Sequence, residues 1–374
     1  MKPVYALPTL PLSYDLETKA VLKQLSQTHR KLAELKGVAR TIPNETILIN
    51  TLTLQEAKDS SEIENIVTTQ DDLYCAELQL TSIQSPAAAK EVLDYRTAIQ
   101  KGFALVKEHK MLTNNFILQI QAALEHNRAG FRSVPGTLLK DAQGRVVYTP
   151  PQDAREVQRL MENLEAFIND DSLSDHDPLI KLAVIHHQFE SIHPFYDGNG
   201  RTGRILNVLY LVLEDLLDLP ILYLSRYITH HKGEYYRLIQ DIRDKGADNL
   251  PEWEAWVLFM LRAVEVTAAQ TLTLIQNIGA LMADYKQQLR SIFGKQYRHE
   301  LLNNLFFHPY TRVEYIAGEM QISRPTATRY LDRMVEAGLL EKRRIWRSTL
   351  YVNTALVDIF LSVSTTLPPH TIGQ

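Results

Sequence analysis

The sequence predicts a mainly α protein: a helical core carrying a β-hairpin flap, followed by a small winged helix-turn-helix domain. Three observations carry this. Apolar residues recur at helical spacing through most of the 374 residues. Two short runs around Asp141-Ala142-Gln143-Gly144 break that pattern, with Asp first and Gly fourth as a type I turn prefers. After Gln321, two short helical patterns are followed by the strand-like pieces EKRRIW and STLYV.

Composition agrees with a packed chain. Hydrophobic residues make up 45% and charged residues 22%, which excludes disordered, collagenous and disulfide-framework classes. At about 150 residues per domain the length fits two to three domains. The formal net charge of −4 means that any nucleic-acid contact must come from a local patch. Cys75 is the single cysteine, so neither an intrachain disulfide nor a cysteine zinc site is available, and a reducing interior suits it. The opening MKPVYALPTLPLSYDL lacks the apolar segment of a secretory signal. The longest apolar stretch is read as Ile205 to Leu213, short of the ~20 residues that span a bilayer, so no membrane partner and a cytoplasmic location are expected.

In chain order, Leu16 to Lys36 places Val21, Leu22, Leu25, Leu32 and Leu35 on one side of a helix, with Gly37 as its stop. Ile47 to Leu54 continues apolar into KDSSEIENIV. Ser85 and Pro86 break the chain before a helix through Val92, Tyr95, Ile99 and Phe103. The hairpin runs are 136–140 and 145–149, closed by Pro150 and Pro151. Helical periodicity returns over 153–168, 179–192, 201–217, 234–243 and 253–293. Thr311 and Glu314 form a capping-box pair opening a helix to Met320; Gln321-Ile322-Ser323 turns the chain, Pro325 opens a second helix and Gly338 ends it.

The loop between the helices 179–192 and 201–217 carries the chemistry, in the string HPFYDGNGRTGR at 193–204. Gly198 and Gly200 bracket Asn199 and let backbone approach an anion, and a helix opening at about Arg201 offers free N–H groups to phosphate. Arg201 and Arg204, three apart, can turn two guanidinium forks to one polyphosphate. Asp197 is a hard oxygen ligand for Mg²⁺, and His193 can accept a proton near neutrality. His186, His187, His230 and His231 lack zinc spacing and are read as structural.

This string resembles the signature of the Fic (Fido) family, HxFx[D/E]GNGRxxR, at every defined position, with Phe195 as the anchor of the loop. The resemblance covers residues 110–265 as the Fic catalytic core, and the hairpin looks like the family's flap, which holds a target protein as an added strand. It implies transfer of AMP from ATP to a Tyr, Ser or Thr hydroxyl of a target protein and of the chain itself. By resemblance His193 deprotonates the hydroxyl, Asp197 holds Mg²⁺ on the α and β phosphates, and Gly198, Asn199, Gly200 and Arg201 stabilise the diphosphate. Thr202, Gly203 and Arg204 complete the nucleotide-binding segment. Members that transfer the terminal phosphate resemble HxFxDANKR, with lysine where Gly200 stands. Tyr236, in GEYYRLI, falls where the family packs adenine.

Ser60-Ser61-Glu62-Ile63-Glu64-Asn65 matches [S/T]xxxE[G/N], the inhibitory-helix motif of the same family. Ser60 and Glu64 share one helix face. The resemblance implies that Glu64 pairs with Arg204, occupying the guanidinium meant for the γ-phosphate. Residues 1–109 then form an N-terminal helical region with the inhibitory motif, 266–300 a connecting helix and 301–374 the winged-helix-like domain. Between Gln321 and Leu350, seven basic residues face three acidic ones. Arg324, Thr326, Thr328 and Arg329 are the candidate DNA contacts. The reading is thus a self-inhibited protein adenylyltransferase; its alternative is a DNA-binding transcription regulator whose Fic core senses nucleotide. A homodimer stays open.

Overall fold

The computed structural model describes residues 6–78, 86–246, 249–345 and 348–363; Ser85, Trp346 and Arg347 of the sequence reading lie outside the described residues. Helix α1 (Lys19–Ala39) starts where the Thr18 hydroxyl accepts from the Val21 N–H. It buries Val21, Leu25, Leu32 and Leu35. Two expectations are corrected here. Gly37 does not stop the helix, because tertiary packing carries α1 on to Ala39; Leu22 is 48% exposed, rotated off the buried stripe.

Helix α2 (Glu45–Ile63) follows an Asn44 cap and is buried on most sides. It ends with Glu64 at the C-cap and Asn65 in the left-handed region, φ +63°, a conformation asparagine tolerates better than most residues. Then come α3 (Gln70–Glu77), α4 (Ala87–His109) and α5 (Asn114–Glu125). The expected Val92, Tyr95, Ile99 and Phe103 are the core face of α4. The hairpin is antiparallel and shorter than expected, β1 (Leu139–Lys140) and β2 (Val146–Tyr148). Its turn is as read, with the Gly144 N–H on the Asp141 carbonyl at 2.9 Å.

The core continues through α6 (Ala154–Asn169), α7 (Pro178–Ile192), α8 (Asn199–Leu213), α9 (Leu224–His230), α10 (Lys232–Lys245) and α11 (Leu250–Phe293). Helix α8 begins two residues before the expected Arg201. Helix α11 is the spine. Its Trp256 donates to the Ala183 carbonyl of α7 at 2.8 Å, and α1 lies along it, with the Thr28 hydroxyl on Leu261 O at 3.2 Å. A longer apolar stretch than 205–213 therefore exists: by length and composition α11 alone could cross a membrane, yet 56% of its most apolar window is buried inside the protein.

The C-terminal module comprises α12 (His299–Phe307), β3 (Tyr310–Thr311), α13 (Val313–Met320), α14 (Arg324–Glu336), β4 (Glu341–Ile345), β5 (Ser348–Val352) and α15 (Thr354–Val363). An antiparallel sheet in the order β3-β5-β4 stands beside the α13–α14 pair, the arrangement of a winged helix-turn-helix. Gln321 makes the turn at φ +53°, and Pro325 lies in the first turn of α14 as expected. The Thr311–Glu314 capping box is overturned. Thr311 pairs with Tyr351 in the sheet and its hydroxyl donates to Asn304 at 2.7 Å, leaving Arg312 as the N-cap. The module sits on α2 and α3: Asn50 donates to Phe307 O at 3.1 Å, Arg312 to Leu78 O at 3.2 Å, and Tyr74 stacks on Tyr310 at 4.6 Å.

Candidate active site

The site is built around the end of α7. His193 closes that helix in the left-handed region, φ +50°, its N–H on Phe189 O at 3.0 Å. A non-glycine residue there costs about 1–2 kcal/mol, and neighbours hold the turn in place. The buried Arg132 donates from Nε to His193 O at 2.7 Å and from Nη2 to Ile192 O at 3.1 Å. Arg243 of α10 donates to Glu190 O and Ser191 Oγ, both at 3.0 Å. The Tyr148 hydroxyl of β2 donates to Ser191 O at 2.9 Å. In this way the last carbonyls of α7 meet buried donors rather than water.

Past His193 the chain is pinned by Phe195, fully buried against Phe131 and Phe189. The Asn199 amide then clasps the loop to itself: Oδ1 accepts from the Phe195 N–H and Nδ2 donates to the Phe195 carbonyl, each at 2.8 Å. Asn199 therefore shapes the bend and has no side-chain atom left over for a phosphate, a correction to its reading as a ligand side chain. Gly198, φ +77°, is the N-cap of α8 and supplies no side-chain cap, so the first amides of α8 face the cleft.

Glu64, His193, Asp197 and the backbone of residues 198–201 line one cleft of about 410 Å³. The glycines earn their place through close approach. A Cβ on Gly200 would lie 2.5 Å from Glu64 Oε1, and one on Gly198 would lie 2.4 Å from Glu125 Oε1. The anions nearest these glycines are thus the protein's own carboxylates. Asp197 is exposed, with one carboxylate oxygen on the Gly198 N–H at 2.7 Å. Among the described residues no group of three or more His, Cys, Asp or Glu could hold a metal alone. One carboxylate beside a phosphate-binding helix end is a donor set that suits Mg²⁺, which commonly completes its shell with phosphate oxygens and water.

Ser60 and Glu64 do share a face, and both reach Arg204. The Arg204 Nε donates to Ser60 Oγ at 2.8 Å, and Nη2 donates to Ser60 O at 3.1 Å and to Glu64 Oε1 at 2.8 Å. Burial pushes the Glu64 carboxyl up, but the Arg204 charge and hydrogen bond, with Arg201 behind, outweigh it and hold Glu64 below the usual range. Arg201 is engaged elsewhere, by Glu91 Oε2 at 3.0 Å and Glu125 Oε1 at 2.8 Å. The expected pair of open guanidinium forks is therefore two closed ion pairs in this structure.

Burial first, then the charges of Arg243 and Arg132, lower the His193 imidazole to about 4, opposed by a Glu190 backbone bond and the Glu64 charge. Thr202 is buried and Gly203 packs on Phe189 and Glu190, so both sit behind the cleft. Tyr236 is 45% exposed on α10, packed edge-on to Tyr235 and near enough for the charges of Glu64 and Arg204 to act on its hydroxyl. His186 is structural as read, buried between the Tyr235 hydroxyl at 2.8 Å and Asn207 at 3.0 Å. Arg324 is exposed and paired with Glu314 at 2.5 Å, Thr328 bonds back to Arg324 O, Thr326 meets Ser323, and Arg329 is exposed. The sequence reading missed Glu91, Glu125, Arg132, Arg243 and Glu190. None lies in the motif, and no local pattern marks them.

Three family models match the chain in succession: Fic/DOC family N-terminal over residues 22–104, Fic/DOC family over 111–211, and Protein adenylyltransferase SoFic-like, C-terminal domain, over 281–356. The chain belongs to the Fic family. Similar curated Fic proteins include Protein adenylyltransferase fic-1 of Caenorhabditis elegans, 29% identical over 102 residues, 27% of this chain and 20% of that protein. Protein adenylyltransferase Fic of Drosophila erecta is 38% identical over 56 residues, 15% of this chain and 11% of that protein. The matched stretch thus spans a fifth or less of these relatives. The Fic fold extends further. A Fic family protein from Desulfovibrio desulfuricans G20 superposes with a TM-score of 0.58 at 19% identity, covering 92% of this chain and 98% of that one. Fic-1 (residues 134–508) from C. elegans gives 0.51 at 19% identity, with 71% and 73% covered.

Proposed function

We propose that this Fic protein is a protein adenylyltransferase that transfers AMP from ATP to a Tyr, Ser or Thr hydroxyl of a target protein and of itself, restrained by Glu64. The observation that carries the reading is one cleft holding an imidazole, a carboxylate and an uncapped helix N-terminus, with Glu64 bonded to Arg204 at its edge. His193 takes the proton of the target hydroxyl. The hydroxyl oxygen bonds to the α-phosphorus, the bond from that phosphorus to the bridging oxygen breaks, and pyrophosphate leaves with the electron pair. The amides of residues 198–201 and the guanidinium of Arg204 receive charge on the β and γ phosphates. Mg²⁺, held by Asp197 together with phosphate oxygens, would supply neutralisation of the diphosphate. Adenine would stack near Tyr236, and the exposed Val146 and Val147 of β2 would meet the target as an added strand.

In this reading Glu64 is a brake. While it holds Arg204, the γ-phosphate lacks its partner and ATP sits in an orientation unfit for transfer. The test incubates the full chain with Mg²⁺ and ATP labelled on the α-phosphate, comparing wild type with Glu64→Gly. A mass gain of one AMP is expected, about 5- to 150-fold faster in the variant. Equal rates remove the brake, and no label in either protein removes the transferase. A second reading, a DNA-binding regulator with a nucleotide-sensing core, is favoured by the exposed Arg324 and Arg329 on α14 beside the wing. Intact His193 and Asp197 favour catalysis, since a sensor needs neither.

A further inference from the structure

We infer that Arg132 and Arg243 are positioning residues for His193, two buried forks that clamp the last turn of α7 and fix the imidazole beside two permanent positive charges. The inference rests on the reading of His193 as the base and deepens it. Its ground is geometric. Arg132 takes the carbonyls of Ile192 and His193, and Arg243 takes the carbonyl of Glu190 and the hydroxyl of Ser191. They arrive from opposite sides: Arg132 from the segment leading into β1, Arg243 from α10. Tyr148, at the far foot of the flap, bonds Ser191 O and lies 4.1 Å under the Arg243 guanidinium. Both feet of the flap are thereby fastened to the turn that carries His193.

Two consequences follow from the chemistry. The forks satisfy carbonyls that a left-handed residue would otherwise leave exposed at a helix end, so the strained turn has one stable arrangement. Their charges also disfavour a third cation, so the imidazole stays neutral and able to accept a proton well below pH 7. The charged groups acting on it are Arg243 from α10, Arg132 before β1 and Glu64 from the end of α2, and the Glu190 backbone acts from α7 itself. Glu64 alone among the side chains opposes the arginines, and burial adds to them.

The test follows the His193 ring by NMR titration in full-length protein labelled at histidine carbons, with His193→Ala assigning the signal. Arg243→Gln and Arg132→Gln keep a donor for the carbonyls and delete the charge. In each, the midpoint should rise by about one pH unit, while Arg243→Lys leaves it near the wild-type value. Transfer in a Glu64→Gly background should fall about twofold at pH 5 relative to pH 8 in either Gln variant and hold level in the Lys variant. A merely structural role would lower rates equally at all pH values. Unmoved midpoints in folded Gln variants overturn the inference. Should one of them fail to fold, the other reads the same charge effect. A Glu64→Gly parent that transfers nothing at any pH defeats the transferase reading, while the titration still decides the role of the arginines.

Discussion

Asn199 and Gly200 show how the residue scale sets this site. The amide of Asn199 is consumed in holding Phe195, and Gly200 has no side chain because Glu64 and Arg204 crowd the space a Cβ would fill. What faces the cleft is consequently backbone N–H, imidazole and carboxylate. Replacing His193 with Ala leaves that backbone in place, so nucleotide binding should persist while transfer falls about 10²- to 10⁴-fold. Calorimetric titration with ATP beside α-phosphate labelling checks both halves, and undiminished labelling would sink the base assignment. His193, Asp197, Arg204 and Glu64 were legible in the sequence because each sits in a short contiguous motif. Arg132 and Arg243 were not, since a helix end recruits its donors from wherever the chain returns in space.

Helix α2 is the element on which restraint depends, and its docking combines polar bonds with burial. Lys232 of α10 donates to Ile63 O at 2.5 Å, and Thr229 of α9 donates to Asp59 O at 3.1 Å. Inside the contact the Glu56 carboxylate accepts from the Ser225 N–H at 3.1 Å and from the Ser225 hydroxyl. Burial pushes the Glu56 carboxyl up to about 8 against these bonds, from an ordinary 4.5, and Asp59 up to about 6. The folded state thus keeps a proton that the unfolded chain has released. The stabilisation from that proton is whole below about 4.5 and is lost as pH climbs through 8. Glu56→Gln keeps an acceptor for Ser225 and removes the ionisation. Its melting temperature relative to wild type should therefore rise by a few degrees between pH 5 and pH 8. Thermal unfolding across that range measures this, and a difference that is flat or falls with pH would refute it. The outlines of α2, α4 and α7 were readable from their periodicity. Gly37 and Thr311 misled because a neighbouring helix and a third strand overrode local stop and cap signals.

At the scale of the whole molecule, α11 joins two functions along one rod. Its first half packs on α7 through Trp256, and farther along it Tyr285 donates to Leu339 O at 2.8 Å in the C-terminal module. That module also rests on α2 and α3, so the winged helix and the brake share a boundary. If α14 meets DNA, a phosphate-driven complex should shift in electrophoresis at low salt and weaken by about 10³-fold or more between roughly 50 and 200 mM salt. No shift at low salt would leave the module to protein contacts.

The sequence by itself determined the fold class, the catalytic string 193–204 and the Ser60–Asn65 segment, because each depends on spacing within a helix or a single loop. Tertiary structure alone decided that Arg201 is held by Glu91 and Glu125, that Asn199 is a clasp, and that two arginines and a tyrosine bind the turn at His193. Those contacts join positions far apart in the chain. The physical reason is that a buried helix end and a buried charge must be satisfied by whatever donor or counter-charge the packing brings near, and sequence spacing carries no record of that meeting.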